Sequence, residues 1–423
     1  MVRALRHRNF QLFFGGQLIS LIGTWMDNMA EAWLVYRLTG SSLLLGTVAF
    51  CGQFPVFLLA PIGGMAADRF NRRYIVIATQ LSSMVLAGFL AGLTLTHRIT
   101  VWEILLLDTL QGVVNAFDIP ARQAFLVEMV GREDLMNAIA LNSSMFNGAR
   151  ILGPSMAGIL VATIGEGWCF FTNAVSYIAV IAGLLLMNVQ HVPRAATKAT
   201  PFENILEGFR FVRRTGPIWA IMLLIGVVSL VAVPYSVLMP IFADRILHGG
   251  ARALGILMSA AGVGALLGAL TLATRSGVRG LGRWIAYSAA GFGLSLILFS
   301  LSRWFWLSVA LLVPVGYGVM LQMSSSNTLI QAMVPDDLRG RAMAVYTMMF
   351  MGMAPMGSLL AGGMAARIGA PWTVAIGGVV AIIGAAVFSR HLPKVRVEAR
   401  ELLIAQGMLA AEPAEPIAVR TGS

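Results

Sequence analysis

Asp108-Thr-Leu-Gln111-Gly-Val-Val-Asn115-Ala-Phe-Asp118-Ile-Pro-Ala-Arg122 sets five polar side chains at steps of three, four, three and four, inside a long stretch from Trp102 to Gly158. At about 100° per residue these five fall within an arc of about 80° on one helix face. A charge held at mid-bilayer costs at least about 3 kcal/mol on insertion scales, so such a face turns toward a bundle interior or a watery cavity. The stretch therefore predicts a cavity-lining helix. Gln17, Ser20, Thr24, Asp27 and Glu31 repeat the same steps, with Asn28 beside them, so a second helix shares the cavity. At 1.5 Å per residue Asp27 lies about 13 Å inward from Tyr36, and Asp108 about 10 Å inward from Val101. Two acids at like depth on facing stripes are expected to share one proton. Glu31 either joins this set or is solvated near the mouth beside Arg37. Arg150, also within an apolar span, is either a counter-charge for one of these acids or a substrate ligand.

Composition places the whole chain in the same class. Its 423 residues are 58% hydrophobic and 12% charged, with mean hydropathy +0.80, far more apolar than a soluble core of this size uses. Twelve apolar stretches are long enough to cross about 30 Å of hydrocarbon. They run from 10 to 36, 43 to 66, 74 to 96, 101 to 123, 137 to 163, 168 to 190, 217 to 243, 253 to 274, 283 to 301, 304 to 328, 341 to 367 and 371 to 390. The net charge of +11 is topological and calls for no nucleic-acid partner. Of the Arg and Lys residues, 22 fall on the even-numbered side of the spans and six on the other. The positive-inside rule then puts both termini in the cytoplasm.

The sequence also repeats at a shift of 204. Gly112 falls on Gly316, Phe146 on Phe350, Gly153 on Gly357, Gly158 on Gly362 and Gly165 on Gly369. The expected architecture is an all-α membrane protein of twelve transmembrane helices in two parallel-related halves of six. Residues 1–190 form the first half, 191–216 a basic cytoplasmic linker, 217–391 the second half and 392–423 a cytoplasmic tail. Phe202 to Arg213 reads as a surface amphipathic helix, Val395 to Leu409 as a short tail helix, and the remaining Pro/Ala/Glu tail as disordered.

Gly64-Met-Ala-Ala-Asp68-Arg69-Phe-Asn-Arg72-Arg73, between the second and third spans, resembles the signature cytoplasmic loop of the major facilitator superfamily. Asn71 stands where that loop has glycine, and Asn tolerates positive φ better than most residues. Gly148, Gly153-Pro154 and Gly158 resemble the glycine-proline motif of exporters without its full glycine set. With Pro120-Ala-Arg122-Gln and Arg132-Glu-Asp-Leu-Met-Asn-Ala, the chain is most similar to the enterobactin-exporter-like efflux branch of that superfamily. The resemblance implies that Gly64, Asp68, Arg69, Arg72, Arg73, Asp118 and Arg122 form a cytoplasmic gate. In it Asp68 bonds the start of the eleventh span near Arg341 to Ala344, and Arg72 or Arg73 pairs with Asp118. Asp108-Thr-Leu-Gln111-Gly112 departs from the family at one point, holding an acid where proton-coupled drug exporters hold arginine.

Several chemistries are excluded. The chain has no Gly-x4-Gly-Lys-Ser/Thr phosphate loop, so a gradient and not ATP must drive it. Its five histidines sit at span ends or in loops, its two cysteines lack metal-ligand spacing, and Asp336-Asp337 has no second acidic pair. An enzyme, a metal site and a cofactor are not expected. The function expected is secondary transport: proton-coupled export of a small amphipathic or lipophilic molecule, siderophore-like or drug-like, by a monomer in the bacterial inner membrane. Candidate proton and substrate residues are Asp27, Glu31, Asp108, Gln111, Asn115 and Arg150. An importer, a lipid flippase or a non-transporting sensor on the same scaffold is the alternative. The second half, with Gln322, Ser325 and Ser326 but no deep acid, is expected to offer a mostly apolar wall. The seven methionines between 343 and 364 read chiefly as gap-filling core.

Overall fold

Thirteen helices account for the architecture of the chain in the computed structural model, which describes residues 3–131, 133–188, 201–275, 277–278 and 280–406. They are α1 Arg8–Thr39, α2 Ser42–Arg69, α3 Arg72–Leu95, α4 Val101–Val130, α5 Leu135–Ile164, α6 Glu166–Leu186 and α7 Pro201–Arg214. After these come α8 Gly216–Ile246, α9 Gly250–Ala273, α10 Leu281–Leu301, α11 Phe305–Met333, α12 Leu338–Ile368 and α13 Ala370–Ala405. Among the described residues ten helices are long and apolar enough to cross a membrane. The other two long helices, α1 and α5, have 32 and 30 residues, and polar positions dilute their apolar faces. The amphipathic helix expected at Phe202 to Arg213 is α7. Arg132, residues 189–200, which include the first part of the expected linker, and the tail from 407 lie outside the described residues. The separate tail helix expected from Val395 is instead a continuation of the last span, since α13 runs through Pro393 without a break.

Helices α1 to α6 pack among themselves, as do α8 to α13, and the two groups meet along α2 with α12 and α5 with α9. Small residues permit these approaches. A Cβ on Gly63 would stand 1.9 Å from the Ala116 carbonyl where α2 crosses α4, so only glycine fits there. The neighbouring Gly64, which the loop motif singles out, has open space. Between the groups, Gly46 sits against Ser358 and Gly362, and Gly158 against Gly255. Three exporter-motif glycines thus divide: Gly158 lies on the seam between groups, Gly153 lies inside the first group against Trp25 and Ile22 of α1, and a Cβ on Gly148 would point into open space.

The proline-containing helix α8 changes pitch along its length. It has π-turns at Val228–Ala232 and Phe242–Ile246 around a tight 3-10 stretch, Val233–Leu238, because Pro234 and Pro240 remove backbone donors. Asn71 serves α3 as an N-cap, its Oδ1 accepting from the Arg73 amide at 3.0 Å. Its φ of −65° makes no use of the tolerance for positive φ. Exposed Trp102, Trp168, Trp304, Trp306 and Trp372 start α4, α6, α11 and α13 at the end that carries the α1–α2 turn, and exposed Phe70, Tyr74 and Tyr287 lie toward the other end. Amphipathic rings at both ends of an apolar bundle are the pattern of membrane interfaces.

Candidate functional site

A cavity of about 1470 Å³ lies between the two helix groups. All five polar residues of the α4 stripe line it, from Asp108 through Gln111, Asn115 and Asp118 to Arg122. So do Gln17, Ser20, Thr24, Asp27 and Glu31 of α1. The 3.6-residue periodicity puts each set of five on one helix face, and the packing of α1 beside α4 brings the two faces to one cavity. Arg150 and Pro154 of α5 line it as well. The opposite wall is mostly apolar: Tyr235, Val237 and Met239 from α8, Met258 and Ala261 from α9, and Met348 and Met351 from α12. Two of the α12 methionines therefore face the cavity. Gln322, Ser325 and Ser326 of α11 do not: all three are fully buried.

Acids meet at the deep end of the first wall, in a pairing the sequence reading did not favour. Glu31 is within hydrogen-bonding reach of Asp108, while Asp27 interacts with Glu31 and faces Asn173 of α6. Asp108 packs beside Gly52 of α2, where a Cβ would stand 3.6 Å from its Oδ2. Two carboxyl groups can hydrogen-bond only if one carries a proton. Arg37, the alternative partner for Glu31, is engaged elsewhere: its Nε donates to Glu166 Oε1 of α6 at 2.7 Å. Arg150 has no carboxylate within ion-pair distance among the described residues, and its guanidinium carbon lies 5.7 Å from the Trp25 ring centroid. Desolvated cations are stabilised by an aromatic face in this way.

Farther along α4 the polar surface is knitted by hydrogen bonds. Gln111 Nε2 donates to Ser83 Oγ at 3.0 Å and to Asn115 Oδ1 at 3.1 Å. Asp118, which is buried, accepts from Thr79 Oγ1 at 2.8 Å and Gln80 Nε2 at 3.0 Å, and Arg122 lies 3.2 Å from its Oδ2. The expected pairing of Asp118 with Arg72 or Arg73 is absent. Arg72 opens α3 and bonds Glu128 at 2.6 Å and the Ala67 carbonyl at 2.9 Å, and Arg73 donates to the carbonyls of Leu184 and Leu185. Axial position explains the difference. Asp118 lies 12 residues before the end of α4, about 18 Å along the axis, level with the second turn of α3 and not with its start.

Asp68 does not reach α12 in this conformation. Its ion-pair partner is Arg72 at 3.6 Å, and its side chain is 62% exposed. Arg69 beside it is also exposed. Arg341 of α12 binds Glu207 of α7 at 2.7 Å instead. At this end Gly340, Arg341 and Ala344 stand on one side of the cavity and Asp118, Ile119 and Arg122 on the other, so the cavity separates the elements that the gate would join. At the α1–α2 end the groups touch: Ser42 Oγ donates to the Gly362 carbonyl at 3.0 Å and Tyr36 Oη to Asp244 at 2.7 Å.

Several wall residues escaped the sequence reading. Asn173 and Tyr177 of α6, and Gln80 and Ser83 of α3, line the cavity. The signal that marks α4 was present in both helices, since 173 and 177 stand four apart and 80 and 83 three apart.

A family profile described as transmembrane secretion effector matches residues 2–422. The chain is 26% identical over 381 residues to a staphyloferrin A transporter of Staphylococcus aureus, covering 89% of this chain and 94% of that one. It is 26% identical over 365 residues to the enterobactin exporter EntS of Shigella boydii serotype 4, covering 86% of each. Among solved structures, a POT family transporter in complex with 5-aminolevulinic acid superposes with a TM-score of 0.75 at 12% identity, covering 92% of this chain and 97% of that one. At that identity the likeness is one of fold.

Proposed function

Because the chain belongs to the transmembrane secretion effector family of the major facilitator superfamily, we propose that this transporter exports a small amphipathic or lipophilic organic molecule in exchange for protons. The observation that carries the reading is the deep acid set. Glu31 and Asp108 within hydrogen-bonding reach, with Asp27 beside them, form one wall of a cavity whose other wall is apolar. A pair that holds one proton releases it when a bound molecule or a change of water access alters its surroundings, and protonation and substrate binding then need only compete to give exchange. The apolar wall suits the body of an amphipathic molecule. The names of the two relatives favour a siderophore-like metabolite, and a drug-like compound fits the same walls.

In this reading α1 and α5 cross the membrane with the ten more apolar helices, giving twelve in two parallel halves, residues 1–190 and 217–391. Both termini and the α2–α3 end face the cytoplasm of a bacterium, on the distribution of Arg and Lys. The conformation is then inward-facing, with the gate around Asp68 parted. In this reading the chain works as a monomer. Everted membrane vesicles energised with a proton gradient test the proposal. Accumulation of a siderophore or lipophilic dye, with proton release evoked by adding it, is expected. A compound that binds, by thermal shift, yet causes neither uptake nor proton release would overturn it.

A further inference from the structure

Among the described residues three arginines line the cavity, and two of them are neutralised by the chain itself. Arg122 lies 3.2 Å from Asp118 Oδ2, and Arg341 binds Glu207 at 2.7 Å. Arg150, half-buried in the middle of α5, has neither a hydrogen bond nor an ion-pair partner among the described residues. A guanidinium does not give up its proton, and an unpaired charge within a membrane span is costly. Such a cation, facing a cavity, calls for a partner that the chain does not supply.

Sequence spacing builds its setting. Phe146, Arg150 and Gly153 follow at steps of four and three on one face of α5, and that face meets Trp25 of α1. Phe146 packs edge-on against the indole, with 5.5 Å between ring centroids and 75° between planes. A Cβ on Gly153 would stand 2.5 Å from Trp25 Cβ, so the missing side chain lets the indole lie there. The guanidinium carbon of Arg150 sits 5.7 Å from the same ring. An aromatic face stabilises the charge without consuming any of its five N–H donors. Trp25 and Asp27 are two residues apart on α1, about 200° around its axis. The arginine is thereby held on one flank of α1 and the acids on the other, which keeps them from neutralising one another. Across the cavity Tyr235 of α8 is 7% exposed, and its hydroxyl also has no hydrogen-bond partner among the described residues. It lies close enough for the Arg150 charge to act on it.

We infer that Arg150 and Tyr235 form the subsite for a carboxylate group of the transported molecule, which is therefore an amphipathic organic acid carried as its anion. The guanidinium fork matches a carboxylate with two parallel, charge-assisted N–H bonds. Tyr235 adds a hydroxyl donor from the facing helix group. The apolar body lies against Met258, Met348 and Met351, whose side chains adapt to different shapes. Keeping the anion off the flank that carries Asp27, Glu31 and Asp108 spares it their like charge and leaves them free to hold a proton.

The inference takes the cavity as the substrate site, as the proposed function does, but its test needs no gradient. Full-length protein in detergent is dialysed to equilibrium against 1-naphthylacetate and against its uncharged amide, with protein-free micelles subtracted. The parent is expected to bind the carboxylate about tenfold tighter than the amide, as one charge-assisted pair provides. Arg150→Gln should erase the preference by weakening the carboxylate alone, its unchanged amide affinity showing that the cavity is intact. Arg150→Lys keeps the charge but loses the fork and should retain a part of the preference, and Tyr235→Phe should lower it about threefold. Equal binding of the two probes by the parent, binding of neither, or a preference that survives Arg150→Gln would overturn the subsite. If Arg150→Gln does not fold, the parent's preference and its fall in Tyr235→Phe decide. The same probes in energised everted vesicles keep the two readings apart. A carboxylate preference without proton release leaves the subsite standing and removes proton exchange, whereas proton-coupled uptake without the preference removes the subsite alone.

Discussion

Gly255→Ala should unseat the closed end of the cavity while leaving each helix group folded. The added Cβ would stand 2.4 Å from the Pro154 carbonyl oxygen and 2.9 Å from Gly158 Cα, both backbone atoms that no rotamer change can move. Ordinary contact begins near 3.4 Å, so α5 and α9 must part by about 1 Å. Overpacking of this size costs about 1 to 3 kcal/mol. The seam joins one helix group to the other, so the cost falls on the conformation in which it is closed. The equilibrium then moves away from that conformation by about 5- to 150-fold. Pulsed EPR between spin labels on the α1–α2 and α8–α9 turns reads this directly as growth of a longer-distance population. Gly148→Ala, with nothing within 4 Å, should be silent. Gly264→Ala places a Cβ 1.9 Å from the Val313 carbonyl within the second group and should lower the amount of folded protein. A Gly255→Ala variant with the parent's distance distribution and turnover would refute the reasoning.

Glu31→Gln and Asp108→Asn should each abolish accumulation driven by a pH gradient and preserve downhill exchange; loss of cationic substrates alone, with others still pumped, would instead make Asp108 a ligand. Asp68→Asn is expected to slow turnover several-fold at normal membrane levels, because Asp68 is exposed here and, in the gate we propose, bonds α12 only in another conformation; parent turnover would remove it from the gate. Arg72→Ala should cost about 3 kcal/mol or more of stability, since it strands Glu128, 15% exposed, without its partner at 2.6 Å. A melting temperature in detergent within a degree or two of the parent's would contradict that.

Polar periodicity survived folding because it is a property of one helix at a time. Stripes at 17, 20, 24, 27 and 31 and at 108, 111, 115, 118 and 122 reached the cavity wall wherever their helices were placed, since exposing them to lipid costs more than any alternative packing returns. The same holds for the amphipathic α7, whose period is set by its own residues. Partners were another matter. Arg37 stands six residues from Glu31 on one helix, yet it binds Glu166. The motif resemblance pairs Asp118 with Arg72 or Arg73, yet the axial offset of α3 against α4 gives Asp118 to Thr79 and Gln80, Arg72 to Glu128 and Arg73 to the carbonyls of Leu184 and Leu185.

From the sequence alone came the all-helical membrane class, the two polar stripes and the acids they carry, because hydropathy and the 3.6-residue period are written residue by residue; the family came from the resemblance of the Gly64 to Arg73 loop and its companion motifs. The tertiary structure decided which acids meet, which glycines are indispensable and which end of the cavity is shut. Those depend on the relative translation and rotation of neighbouring helices. A shift of one turn, about 5.4 Å, exchanges Asp27 for Glu31 opposite Asp108, and a rotation of one residue exchanges Gly64 for Gly63 against α4.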